Sequence, residues 1–101
     1  MRLKAPFLRI ILRNTYMELE FENVAIFAES RGRKLYAELY INDVGYIYER
    51  GKWAVYDNEG NPRGMTPEDA AQLQKLAKRL STLPKYPVLE LLIKALQKAG
   101  E

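Results

Sequence analysis

The chain contains no histidine and no cysteine, which removes the usual general base, the commonest metal ligand and the thiolate nucleophile together. Carboxylates alone could hold Mg²⁺ or exchange protons, but they would have to converge. The most regular acidic spacing, Glu18, Glu20 and Glu22, is that of a solvated strand face rather than an enclosed carboxylate pair. What remains is the chemistry of flat rings and fixed cations. Tyr36, Tyr40 and Tyr56 are interleaved with Arg31, Arg33, Lys34, Arg50, Lys52 and Arg63. Rings that accept stacked bases and cations that neutralise phosphates are the two ingredients of sequence-tolerant single-strand binding. The expectation is therefore a protein that is not an enzyme, with no catalytic residue, no metal and no cofactor. "RGRK" and "NEGNPRG" lack the glycine spacing of a phosphate loop before a helix, so their glycines read as turn residues.

These side chains must be positioned by a sheet. Residues 7 to 57 read as strands: "YMELEFE" places Met17, Leu19 and Phe21 on one side and Tyr16, Glu18, Glu20 and Glu22 on the other, the period of a half-buried strand. Taking Asn14-Thr15, Glu22-Asn23, Arg31-Gly32, Asn42-Asp43 and Arg50-Gly51 as two-residue hairpin turns sets every register. One face then collects the apolar residues of each strand, from Leu8, Ile10 and Leu12 to Trp53 and Val55, with Tyr46 and Tyr48 among them. Such consistency predicts a meander of five or six antiparallel strands. The first segment stays open: "PFLRIILR" fits either a strand or a short helix opened by Pro6.

The same registers put the remaining rings on the opposite face. Phe27 would pair with Tyr36, Tyr40 and Tyr56 would flank Gly45, and Ile47 would lie beside Ala54. Lys34 opposite Glu29, Arg9 opposite Glu20 and Lys52 opposite Glu49 would balance charge, leaving Glu38 without a cross-strand partner. An aromatic surface with a glycine in its middle offers a place for a planar group. The nucleic-acid-binding set read from the sequence is Phe27, Arg31, Arg33, Lys34, Tyr36, Tyr40, Arg50, Lys52, Tyr56 and Arg63. The alternative is that the same rings form a protein interface, as in a small regulator or inhibitor.

Two helices follow, over about 66–82 and 87–99. Thr66 is placed to cap the first, with Pro67 at its first position and Asp69 in the capping-box position. Leu73, Leu76, Ala77, Leu80 and Leu83 make its apolar stripe. The second, "VLELLIKALQKA", has a wider apolar face. Either it closes the core, or Leu89, Leu92, Ile93 and Leu96 also form the interface of a homodimer.

The fold class expected is α+β: one domain over residues 1–101, an antiparallel meander with two C-terminal helices packed on one face. A chain of 101 residues suffices for one hydrophobic core and not two. The formal charge of +3 permits a polyanionic partner without requiring one. "MRLKAPFLRIILRN" is too short an apolar run, and interrupted by Arg9, to read as a leader or a membrane span, so a cytoplasmic, non-membrane protein is expected. Abundant Lys, Glu, Arg, Tyr and Ile resemble a thermophile composition.

"RGRKLYAELY" followed by "GNPRGMTPEDAAQLQKL" resembles the DNA-binding domain of positive-cofactor-four type transcriptional coactivators, over about the middle half of the chain. Arg63-Gly64 looks like that family's basic-Gly pair, and Pro67-Glu68, Gln72 and Leu73 look like its helix opening. The family's aromatic residue at the helix start is here Ala70, the spacing from Gly64 to Pro67 is shorter, and the first strands and last helix have no counterpart. The overall plan is also similar to the archaeal ThermoDBP single-stranded DNA-binding proteins. The resemblance implies binding of single-stranded DNA on the sheet, whereas the rings and cations by themselves fit single-stranded DNA or RNA.

Overall fold

The computed structural model describes residues 7–101. Seven antiparallel strands follow one another in chain order: β1 (Arg9–Leu12), β2 (Tyr16–Phe21), β3 (Val24–Arg31), β4 (Lys34–Ile41), β5 (Val44–Glu49), β6 (Lys52–Tyr56) and β7 (Pro62–Arg63). Two helices, α1 (Pro67–Leu80) and α2 (Pro87–Gln97), complete the α+β fold. The first segment is a strand, while the helix start at Pro6 lies outside the described residues. β7 adds a strand that periodicity does not show, because two residues carry no pattern. It is returned to β6 by Asp57, whose carboxylate accepts from the Glu59 and Asn61 N–H groups at 2.9 and 2.8 Å, with Gly60 at φ +83°.

Local chemistry sets the turns. Asn42 (φ 51°) and Asp43 (φ 68°) both take left-handed backbone between Ile41 and Val44, the conformation that matches the twist of two hairpin strands. Arg50 (φ 55°) and Gly51 (φ 78°) repeat it between Glu49 and Lys52. The β3–β4 turn corrects the sequence reading. It is Gly32-Arg33, flanked by Arg31 and Lys34, because the glycine occupies the first central position at φ +64°. The pairing therefore slides by two residues. A slide of two preserves every face but changes every partner: Phe27 lies opposite Glu38, not Tyr36; Tyr36 lies opposite Glu29; and Lys34 lies opposite Arg31, not Glu29.

The alternation buries Met17, Leu19, Phe21, Ile26, Ala28, Ala37, Leu39, Ile41, Tyr46 and Val55. Over them α2 crosses β2, β3 and β4, with Val88, Leu89, Leu92, Ala95 and Leu96 inward. α1 packs beside α2 through Leu73, Leu76, Ala77 and Leu80. Helices of this length do not roof the whole sheet. Leu8 and Ile10, on the core side by parity, are 71% and 48% exposed at the β1 edge, so the expectation of a uniformly covered face fails there. Leu89, Leu92 and Leu96 are at most 1% exposed within this single chain. They are core, with no surface to give a second copy, and of the residues proposed for a dimer only Ile93 keeps partial exposure.

One buried polar cluster ties helix to sheet. Asp69 accepts from the Thr66 N–H at 2.8 Å, closing the capping box, and also from the Tyr46 hydroxyl at 2.6 Å and from Arg63 Nη1 at 2.7 Å. The Arg63 guanidinium foremost, with the Thr66 N–H and the Tyr46 hydroxyl, holds the Asp69 carboxyl well below the usual carboxylate range despite its burial.

Candidate nucleic-acid interface

The face away from the helices carries Tyr16 on β2, Phe27 on β3, Tyr36 and Tyr40 on β4, Ile47 on β5 and Tyr56 on β6, because strand residues alternate. Tyr16 and Phe27 meet edge to face with centroids 5.4 Å apart. Glu38, which the sequence leaves partnerless, is the hub of β4. It accepts from the Tyr36 hydroxyl at 2.5 Å and from the Tyr40 hydroxyl at 3.2 Å. That bond, aided by burial, pushes the Tyr36 phenol up to about 12; burial foremost, then Glu38, raises Tyr40. The hydroxyls are thus anchored, and the rings rather than the oxygens are left to a partner.

The glycine expected to leave room for a flat ligand is instead partly covered from within the chain. Gly45 lies opposite both Tyr40 and Tyr56. A Cβ there would come within 3.3 Å of Tyr40 Cε1, so the Tyr40 ring leans over the glycine. Its outer surface stays open, at 46% exposure. Tyr40 is thus the exposed ring of this face, leaning over Gly45.

The cations gather at one end. β4 pairs with β3 along its whole length, but with β5 only from Ala37 to Ile41. Beyond that the two hairpins diverge and the sheet forks. A cleft of about 740 Å³ occupies the fork and reaches α2. Arg31, Arg33, Lys34 and Arg50 border it from the two hairpin tips, Lys94 from α2 and Lys98 from that helix's C-terminal cap, and Tyr36, Tyr48, Leu35, Leu91 and Ala95 supply its apolar wall. Glu29 and Glu49 are its only acids.

Of the residues proposed from sequence, Arg31, Arg33, Lys34, Tyr36 and Arg50 therefore meet in one place. Tyr40 and Tyr56 lie further along the open face. Phe27 is half-buried between Tyr16 and Glu38, and Lys52 sits at the β5–β6 tip opposite Glu49. Arg63 is elsewhere. It pairs with Val55, hence lies on the helix side, where its guanidinium binds Asp69 through both Nη atoms and is raised further above its ordinary value by that bond. Lys94, Lys98, Leu91 and Tyr48 were not singled out for this site. The i, i+4 spacing of Lys94 and Lys98, three residues on from Leu91, was the available signal, but only the tertiary fold shows what they face.

A shallower hollow of about 220 Å³ lies between Arg9, Glu18, Glu20, Phe27, Glu38 and Tyr40 on the open face. Among the described residues no group of three or more acidic side chains could hold a metal ion, and no helix is long and apolar enough to cross a membrane. No family model, no curated protein and no solved structure matches the chain.

Proposed function

We propose that the protein binds single-stranded nucleic acid, DNA or RNA, without catalysing a reaction on it. The observation that carries this reading is that the aromatic row of β4, Tyr40 to Tyr36, leads into a cleft bordered by six cations. A chain with flat bases and regularly spaced phosphates meets both features at once. Duplex DNA offers no exposed base faces to such a row and binds through phosphates alone.

Two substitutions separate the two contributions. Tyr40→Ala loses roughly 1–3 kcal/mol of single-strand affinity with the salt dependence nearly unchanged. Arg33→Ala flattens the dependence of log K on log[salt] by about 0.7, one phosphate's worth for a single strand, and weakens all sequences alike. Equal salt slopes for Arg33→Ala and the unmodified protein refute the assignment of phosphates to the hairpin tip.

A second reading has its own support. Glu18, Glu20 and Glu38 share the open face with the tyrosines, and a surface of mixed charge around rings also suits a protein partner. Binding of a protein through this face with no affinity for single strands would favour it.

A further inference from the structure

The positive charge is not spread along the path a strand would follow. Six cations and two carboxylates border the cleft at the fork. Arg2 and Lys4 lie outside the described residues, which carry a formal +1, so that excess of four leaves the described residues outside the cleft with a net negative charge of three. The open face beyond Tyr36 holds Glu38, Glu18 and Glu20 against Arg9. A polyanion laid uniformly along this face would meet carboxylates over most of its length. The strongest electrostatic contact of a bound strand therefore falls at the cleft.

Among the described residues, the cations of the cleft are short of partners. Arg31 and Lys34 stand directly opposite each other across β3 and β4, a like-charge pair that destabilises an unliganded sheet. The nearest relief is Glu29, 3.9 Å from Arg31 across exposed surface. A main-chain donor adds to this. The tight turn makes Ile41 and Val44 a hydrogen-bonded pair, so by alternation Ala37 and Leu35 also direct their N–H and C=O toward β5. Ala37 has Tyr48 as its partner there, whereas Leu35, at the fork, has none.

We infer that this cleft binds a terminal phosphate monoester, whose two negative charges and several acceptor oxygens suit clustered Arg and Lys groups better than the single charge of an internal diester. The apolar wall of Leu35, Leu91, Ala95 and the Tyr36 and Tyr48 rings takes the attached nucleoside. A volume of about 740 Å³ falls in the range of small-molecule sites and accommodates one nucleotide. The inference rests on the single-strand reading where it makes the monoester a strand end; a free mononucleotide presents the same chemistry.

The test compares a labelled single strand with a 5′-phosphate, a 3′-phosphate or hydroxyls at both ends, together with a circular single strand and a nucleoside 5′-monophosphate, at one fixed salt concentration. One phosphorylated end should bind about tenfold more tightly than the hydroxyl-ended strand, the gain of a charge-assisted contact. The double variant Lys94→Gln/Lys98→Gln, exposed on α2 and at its C-terminal cap, should bring that ratio close to one. Arg50→Gln, in a turn, provides a second variant should the first misfold, and should lower the ratio. Equal affinity for phosphorylated, hydroxyl-ended and circular strands overturns the inference and leaves single-strand binding standing. Binding of the monophosphate, competed by inorganic phosphate, with no affinity for any strand keeps the cleft and overturns the single-strand reading. A phosphate preference unchanged in both variants places the site elsewhere and overturns the inference.

Discussion

Tyr46→Phe removes one oxygen from the buried cluster that joins sheet to helix. The ring is 2% exposed and keeps its packing in the variant, so the perturbation is confined to a hydrogen bond. The hydroxyl donates to Asp69 Oδ1 at 2.6 Å. A hydrogen bond to an ionised acceptor contributes about 1.5–3 kcal/mol. Asp69 retains the Thr66 N–H and Arg63 as donors, so no buried acceptor is stranded and the lower end applies, about 1.5–2 kcal/mol. In a domain of this size that lowers Tm by about 10 °C. Urea unfolding followed by the fluorescence of Trp53, the only tryptophan, should show an earlier midpoint with an unchanged slope. The alkaline limb gives an independent check. Burial first, then the bond to Asp69, raises the Tyr46 phenol from 10.0 to about 12. A raised folded value means that the contribution is complete below pH 10 and is lost as pH climbs from 10 to about 12. Phe has no such proton, so the variant should lack that part of the decline. An unchanged midpoint together with an unchanged alkaline profile would refute the reasoning.

Three further outcomes follow from the packing and the cluster. Trp53→Ala should destabilise by about 3 kcal/mol, the low end for a large aromatic, because the indole is half-buried against Tyr48 and donates to the Ala95 carbonyl at 2.9 Å; chemical denaturation measures it. Gly100→Ala should cost about 1–3 kcal/mol by calorimetry, since a Cβ would stand 2.8 Å from Ala70 Cβ at a φ of +91° that side chains avoid. Asp69 has a folded pKa below its ordinary 3.8, so its contribution is present above that value and is lost as pH falls from there toward the folded one. An acid titration of Asp69→Asn, less stable at neutral pH, should accordingly show a flatter decline below about pH 4.

The faces of the sheet were legible because parity survives error. Moving the turn from Arg31-Gly32 to Gly32-Arg33 slides β4 by two residues and leaves Tyr36 and Tyr40 on the face already assigned to them. For the same reason the sequence could not show the true partners: Glu38 as the acceptor for two tyrosines, or Arg31 facing Lys34, depends on register rather than parity. Both helices were legible from Thr66, Pro67, Pro87 and their apolar spacing. The width of sheet they cover was not, and Leu8 and Ile10 stay exposed on a face that alternation calls core. The cleft was the least visible feature. It exists because β4 extends past its pairing with β5, and it recruits Lys94 and Lys98 from a helix and its C-terminal cap some fifty residues further along the chain. Arg63 illustrates the converse: a cation beside a Gly and a helix start reads as a phosphate ligand, until the carboxylate it holds, Asp69, is brought to it by the fold.

The most direct measurement of the central claim is an equilibrium titration of a fluorescent single-stranded oligonucleotide, and of its duplex, over a series of salt concentrations. The account predicts binding of the single strand at low salt, a linear fall of log K with log[salt], and weaker binding of the duplex throughout. Absence of single-strand binding at low salt, or a duplex bound as tightly as its single strand, would contradict it.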